Sequence, residues 1–297
     1  GVLDHSYATG SPDAGFYIGQ CYPCDAIVNN VVSEYNGLGY SGTNSGGSLY
    51  ITSSIFRNNK GGLAPNTLDS ELLPPERETF IIGNLIENNN NYNSPATNST
   101  YLSYGNGVVI AGGNNNIIKN NVIVDHDLYG VILTASMDVN YWPAHGNRVE
   151  ENLILSSRKA DIAVSGVSNL ANCFEGNYFN TSIPPGLQAL NSCEQNIIPL
   201  SADLSGLWST IARLIYASTG DFYQDDWRTL PAPDQQENMP IMQEIIDAND
   251  NDQYELGFYQ YLPSFKNSVK PAVNVYEDYK YTLKDVQLPQ EAIKYLN

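Results

Sequence analysis

The feature that most constrains this chain is a short unit that recurs. Gly107–Tyr129 (GVVIAGGNNNIIKNNVIVDHDLY) reads as three very short strands, VVIA, NIIKN and VIVD, broken by Gly/Asn turns. Gly130 then restarts the pattern with GVILT. A module this small cannot bury its own apolar face, so it must stack on copies of itself.

Aligning the copies yields two columns. A glycine opens Gly15-Phe-Tyr-Ile, Gly39-Tyr-Ser-Gly, Gly62-Leu-Ala-Pro, Gly107-Val-Val-Ile and Gly130-Val-Ile-Leu, and Asp161-Ile-Ala-Val continues the column without it. The second column is Asn30-Val-Val, Ser54-Ile-Phe, Asn84-Leu-Ile, Asn121-Val-Ile, Asn152-Leu-Ile and Asn177-Tyr-Phe. Asn at a tight bend accepts left-handed geometry, and its amide can bond to the equivalent Asn one coil away. Where no loop intervenes the columns recur roughly every 23 to 25 residues.

These columns and the three-strand rhythm resemble the right-handed parallel β-helix of the pectin-lyase-like superfamily, with its PbH1-type repeats. The resemblance covers residues 1–187, about six coils. It implies an all-β solenoid whose strands are PB1, PB2 and PB3. The glycine column would open PB1, and the Asn column would mark the bend between PB2 and PB3. It also implies a groove along PB1, bounded by loops.

Three insertions fit that expectation: Pro65–Thr79 and Ala135–Gly146 after PB1 strands, and Asn90–Asn106 before one. Past Gly186 the rhythm stops. Segment 188–220 reads as a cap, because Ser201–Ser218 has apolar residues at helical spacing. Residues 221–297 read as an extended Pro/Tyr-rich tail lying on the helix or on a protein partner. Gly1–Tyr7 reads as the last third of a repeat, so the natural start is expected upstream, with a leader and further coils.

Composition narrows the partners. The 297 residues carry 14 Lys+Arg against 32 Asp+Glu, a net charge of −18. Nucleic acid is excluded as a partner, since phosphate binding needs clustered basic side chains. No apolar run is long enough for a transmembrane helix. The acidic excess fits a secreted, cell-surface or periplasmic protein and is compatible with Ca²⁺. The four cysteines form two local sets, read as disulfides Cys21–Cys24 and Cys173–Cys193. A reactive or metal-binding thiol pair is the alternative for Cys21/Cys24. Asn98-Ser99-Thr100 and Asn180-Thr181-Ser182 are glycosylation sequons.

Chemistry has few carriers. Asp125-His126-Asp127 closes a PB3 strand, and a His between two carboxylates can act as a general base or help hold a cation. Its bland counterpart is a turn His in a solvated patch. Asp4-His5 aligns with the same column and is similar to a two-residue fragment of pectate lyases and alginate-epimerase-like proteins. The chain lacks the Arg-x-Pro-x-x-Arg of pectate lyases, the Gly-His-Gly set of polygalacturonases and the Asp-Pro-His-Asp of mannuronan epimerases. Loop carboxylates Asp69, Glu71, Glu76, Glu78 and Asp138, with His145, would have to supply any acid/base pair. Tyr92, Tyr101, Tyr104, Tyr141 and Trp142 offer rings for stacking on sugars.

Two readings follow. One is an extracytoplasmic protein that binds or processes polysaccharide along PB1, as lyase, epimerase or hydrolase if it is an enzyme. The other is a non-catalytic structural or assembly subunit of a surface layer or complex.

Overall fold

The computed structural model describes residues 1–97, 100, 103–165, 171–194 and 286–296. The chain winds through three parallel sheets of seven strands each, so it makes seven turns rather than six. Sheet A holds β1 (Val2–Asp4), β4 (Ala26–Asn29), β7 (Gly46–Thr52), β10 (Arg77–Ile82), β13 (Ile117–Lys119), β18 (Arg148–Glu150) and β21 (Cys173–Glu175). Sheet B holds β2 (Tyr7–Thr9), β5 (Val32–Glu34), β8 (Ile55–Arg57), β11 (Leu85–Glu87), β14 (Val122–Val124), β19 (Leu153–Leu155) and β22 (Tyr178–Phe179). Sheet C holds β3 (Ala14–Tyr17), β6 (Leu38–Thr43), β9 (Gly61–Asn66), β12 (Asn106–Ala111), β15 (Tyr129–Thr134), β20 (Ala160–Ser165) and β23 (Ser182–Ile183). The chain runs A to B to C in every turn. This is a parallel β-helix, with sheet C as PB1.

The strands are short because residues with positive φ end them. Between sheets A and B these are His5, Asn30, Ser53, Gly83, Asn120, Glu151 and Gly176. Between B and C they are Gly10, Tyr35, Asn58, Asn88, Asp125 and Ser156. The lumen is filled by one apolar side chain per strand per turn from sheets A and B, while β12, β15 and β20 of sheet C add a second in Ile110, Leu133 and Val164. Ile51, Ile81, Ile118 and Val149 come from A, Phe56, Ile86, Ile123 and Ile154 from B, and Leu63, Val108, Val131 and Ile162 from C. Alike residues stack in register, as in Ile55↔Leu85↔Val122↔Leu153, which makes each turn a template for the next.

Polar ladders occupy all three corners. At the A–B corner, Asn84 Oδ1 accepts from the backbone of Ser54, and Asn84 donates to Asn121, Asn121 to Asn152 and Asn152 to Asn177, at 2.9–3.0 Å. The first rung of this ladder is Val31, not Asn30: the amide of Val31 donates to Ser54 Oγ, and Asn30 is the left-handed residue before it. Left-handed geometry and the ladder are therefore duties of adjacent residues. At the B–C corner the rungs are Asn36, Asn59, Asn89 and His126. At the C–A corner they are Asn116, Asn147 and Asn172. Each such bond contributes about 1 kcal/mol, and a buried amide left alone costs about 1–3 kcal/mol.

The last turn is closed by helix α1 (Leu187–Leu190). Leu187 is buried in the lumen, and Gln188 Oε1 accepts from both the backbone and the side-chain amide of Asn177, ending the ladder. The Cys173–Cys193 disulfide fastens this cap to β21, and Cys21–Cys24 braces the turn after β3. Both cysteine pairs are thus joined, and the thiol-pair alternative does not hold. The expected helix over 201–218 and most of the tail lie outside the described residues. Within the tail, Gln290–Tyr295 is a 3-10 helix rather than extended chain. It belongs to the same compact unit as the β-helix.

Candidate functional site

The insertions gather at the two ends of the sheet C strands. Loop 90–105 enters β12, loop 67–76 leaves β9, and 135–146 leaves β15 as a hairpin of β16 (Ser136–Met137) and β17 (Tyr141–Trp142). Loop 67–76 is shorter than the sequence suggests, because Pro65, Asn66 and Arg77–Thr79 remain in strands.

The two loops at the C-terminal edge belong to turns three and five, and they meet across turn four, which has no insertion after its sheet C strand. Asp69 is the junction. Its Oδ1 accepts from Asn140 Nδ2 at 2.7 Å and from Trp142 Nε1 at 3.1 Å, and its Oδ2 accepts from the Asn140 backbone at 2.7 Å. Asp69 N–H in turn donates to Asp138 at 2.9 Å. These donors hold the Asp69 carboxyl below its ordinary range, the Asn140 backbone amide first. Ser136 Oγ adds a bond to Thr67 O, and Thr67 Oγ1 donates to Gly112 O. Gly112 has φ 71°, and a Cβ there would meet Trp142 and Ser136 at 2.9 Å. The crossing thus needs glycine in turn four.

The opposite rim is built on Tyr104. Its hydroxyl donates to Asp127 at 2.9 Å, and its ring meets that of Tyr92 edge-on at 6.3 Å. Lys60 Nζ donates to Tyr92 O and lies 5.1 Å from the Tyr92 ring centroid. Burial lowers the Lys60 pKa. Arg158 pairs with the other oxygen of Asp127 at 3.1 Å. Between the rims, sheet C presents outward a second apolar cluster of Val109, Ile132 and Ala163, closed to solvent at 8%, 8% and 1% exposure. Beside it runs a row of Thr43, Asn66, Ala111, Thr134 and Ser165, one per turn.

Several expected roles change with these positions. His126 is 1% exposed and serves as a ladder rung: Nδ1 accepts from Asn89 N–H at 3.3 Å, and Nε2 lies 3.3 Å from Ile86 O. Burial depresses its pKa to about 4, outweighing the nearby charges of Asp127 and Glu87. Both ring nitrogens are thus engaged inside the stack. Asp125 is the left-handed residue before it and Asp127 is held by Tyr104 and Arg158, so the triplet does not converge on one point. Asp4-His5 sits at the A–B corner, where Asp4 pairs with Asn29. It is therefore a third of a turn away from the column of Asp125-His126.

Glu71 accepts from Tyr17 Oη at 2.7 Å near the other end of the stack. There the Asp13 carboxyl is raised by burial and by the charge of Glu71. Glu76 is fully buried below loop 67–76, taking bonds from Thr79 and Asn116, and burial pushes its pKa up to about 8. Glu78 accepts from Tyr22 Oη. His145 and Tyr141 are exposed, and Tyr101 lies outside the described residues. Sequence reasoning missed Lys60, Arg158, Asn140 and Asp13. Of these, only Arg158 could have been found there, since it stacks in the column of Asp127.

Among the described residues, one group of three ligand-type atoms lies within 4.8 Å of one another, at Glu150, Cys173 and Cys193. Both sulfurs are in a disulfide and Glu150 is paired with Arg148 and Lys119. Calcium takes six to eight oxygens.

Fold and site together define a parallel β-helix with clamped loops over one sheet. No family model matches the chain, and no curated protein matches it. Among solved structures it is similar to the A-module of the mannuronan C-5 epimerase AlgE4 of Azotobacter vinelandii, at 15% identity and a TM-score of 0.44. The match covers 68% of this chain and 56% of that one, so the chain spans a little over half the length of this neighbour.

Proposed function

We propose that this chain is an extracytoplasmic protein that binds a neutral polysaccharide across sheet C, without cleaving it. The observation that carries the reading is the Asp69 clamp, which joins two loops from different turns into one wall and holds the Trp142 indole by its N–H. A held indole keeps an apolar ring face and adds little ordering entropy on binding a sugar. Tyr92 and Tyr104 supply rings on the opposite rim, about 17 Å away at six strand residues. Neutral sugar is favoured because Asp69 and Asp138 make the clamped rim negative and the whole chain carries −18. Binding is favoured over processing because Asp69, Glu71, Glu76, Asp127 and His126 each already hold structural partners. The two disulfides support an oxidising compartment.

The second reading, an assembly subunit, draws on one specific observation. The outward strip Val109–Ile132–Ala163 is apolar and closed, as in a face that packs rather than binds water-soluble ligands. A screen of neutral and anionic polysaccharides by retardation in native gels separates the two. Retardation by neutral glycans, with no shortening of the polymer, supports binding. No retardation by any glycan favours assembly.

A further inference from the structure

Loop 67–76 is strapped to every turn from one to five. Turn one meets it twice: Tyr17 Oη donates to Glu71 Oε2 at 2.7 Å, and Leu72 N–H donates to Gln20 Oε1 at 3.2 Å. In turn two, Asn44 Nδ2 donates to Leu68 O at 2.7 Å and to Glu71 O at 3.0 Å, and Asn44 Oδ1 accepts from Leu68 N–H at 3.1 Å. The loop leaves turn three, Thr67 reaches turn four, and Asp69 holds the hairpin of turn five. Two carboxylates two residues apart therefore hold aromatic rings on opposite sides of the loop. Asp69 holds the Trp142 indole, and Glu71 holds the Tyr17 phenol.

Tyr17 differs from its neighbours in sheet C. By register it continues the outward row of Ser41, Ala64, Val109, Ile132 and Ala163. Those five are closed at 1–8% exposure, whereas Tyr17 is 45% exposed. The open ring is nevertheless fixed twice. Its hydroxyl is bonded to Glu71, and it lies against Gly19, where a Cβ would stand 2.0 Å from the hydroxyl and 2.4 Å from the ring. A ring fixed in advance loses little freedom when a ligand stacks on it. Asp13, whose carboxyl feels the charge of Glu71, brings a further acceptor for sugar hydroxyls to this end.

We propose that Tyr17 is a second stacking subsite, so that a neutral glycan runs along the wall of loop 67–76 from the Trp142 indole to the Tyr17 ring. This rests on the reading of sheet C as a polysaccharide site and adds a direction and a minimum length to it. Trp142 belongs to the turn-five hairpin and packs on Gly112 of turn four, while Tyr17 ends the sheet C strand of turn one. The rings are thus three to four turns apart, roughly 14–19 Å. A disaccharide covers one ring, and a hexasaccharide covers both.

Calorimetric titration of neutral gluco-, manno-, xylo- and galacto-oligosaccharides, graded from disaccharide to hexasaccharide, tests the proposal. In the series that binds, wild type should hold the hexasaccharide at least about tenfold tighter than the disaccharide. Tyr17→Ala should weaken the hexasaccharide about fivefold to tenfold, as Trp142→Ala does. Tyr17→Phe keeps the ring, loses the Glu71 bond and should weaken it less. Gly19→Ala displaces the ring and should resemble Tyr17→Ala, so it decides the matter if Tyr17→Ala does not fold. Unchanged hexasaccharide affinity in either folded variant, with Trp142→Ala still weakening it, would overturn the second subsite and leave the sheet C reading intact. No binding of any series by the wild type would overturn both.

Discussion

The backbone amide of Asn89 donates to Nδ1 of His126 across 3.3 Å, so an imidazole occupies a rung that Asn36, Asn59 and Asn89 fill in earlier turns. His126→Asn should fit the ladder and change stability by less than about 1 kcal/mol, whereas His126→Ala strands a buried amide and should cost about 1–3 kcal/mol. The pH dependence separates the two roles. The folded pKa of about 4 lies below the free value of 6.5. The neutral ring's contribution is therefore full above pH 6.5 and is lost as pH falls towards 4. Thermal melts at pH 7 and pH 4.5 should show an acid-induced loss in the wild type that His126→Asn removes. An unchanged acid loss in that variant would contradict the assignment.

Glu76 predicts the opposite slope. Its folded pKa of about 8 lies above the free value of 4.5, so stability is greatest below pH 4.5 and declines as pH rises towards 8. The protonated carboxyl stands beside the hydrogen-bond donors Thr79 and Asn116, with Arg77 the nearby cation. Glu76→Gln keeps the shape and removes the titration. Its melting temperature should rise relative to the wild type between pH 5 and pH 9, by the equivalent of a few kcal/mol. Equal slopes for the two proteins would show that Glu76 does not titrate in this range.

The Cys173–Cys193 bridge closes a loop of 20 residues and ties α1 to the final turn. Replacing both cysteines by Ser should lower unfolding stability by about 3 kcal/mol. Loss should begin at the cap, read as faster hydrogen exchange over 173–190 than over 117–124. Uniform acceleration along the stack would argue that the bridge does not act at the cap.

Asp69→Ala should free the hairpin of β16 and β17 from loop 67–76 while leaving the ladders intact. Limited proteolysis should then cut within 136–142 several-fold faster than in the wild type, with the far-UV spectrum unchanged. Unaltered cleavage would mean the hairpin is held by other contacts.

The fold was legible because stacking makes every turn repeat its corners. Gly107 and Gly130 mark the start of PB1, and Asn84, Asn121, Asn152 and Asn177 mark the A–B corner, at nearly the positions where the structure has them. The C–A ladder of Asn116, Asn147 and Asn172 was not read, because the insertion at 135–146 lengthens the spacing from Asn116 to Asn147 and hides its period. Asn30 misled because the left-handed residue and the rung are neighbours, and Asn suits both duties. His126 misled for a deeper reason. A His between carboxylates looks like chemistry in one dimension, while its burial depends on which way the corner turns. The Asp69 clamp was not legible, because Asp69 and Asn140 are 71 residues apart and no repeat relates them. Nor did tail composition indicate that Ala292 and Lys294 return to sheet B.

The central claim is that the clamped rim binds neutral polysaccharide, and calorimetric titration of a retained glycan into three proteins tests it most directly. Wild type and His126→Asn should bind with equal affinity. Trp142→Ala should bind about fivefold to tenfold more weakly, the loss expected for one ring stacked on a sugar. Equal affinity in Trp142→Ala, or binding lost in His126→Asn while that protein stays folded, would contradict the account.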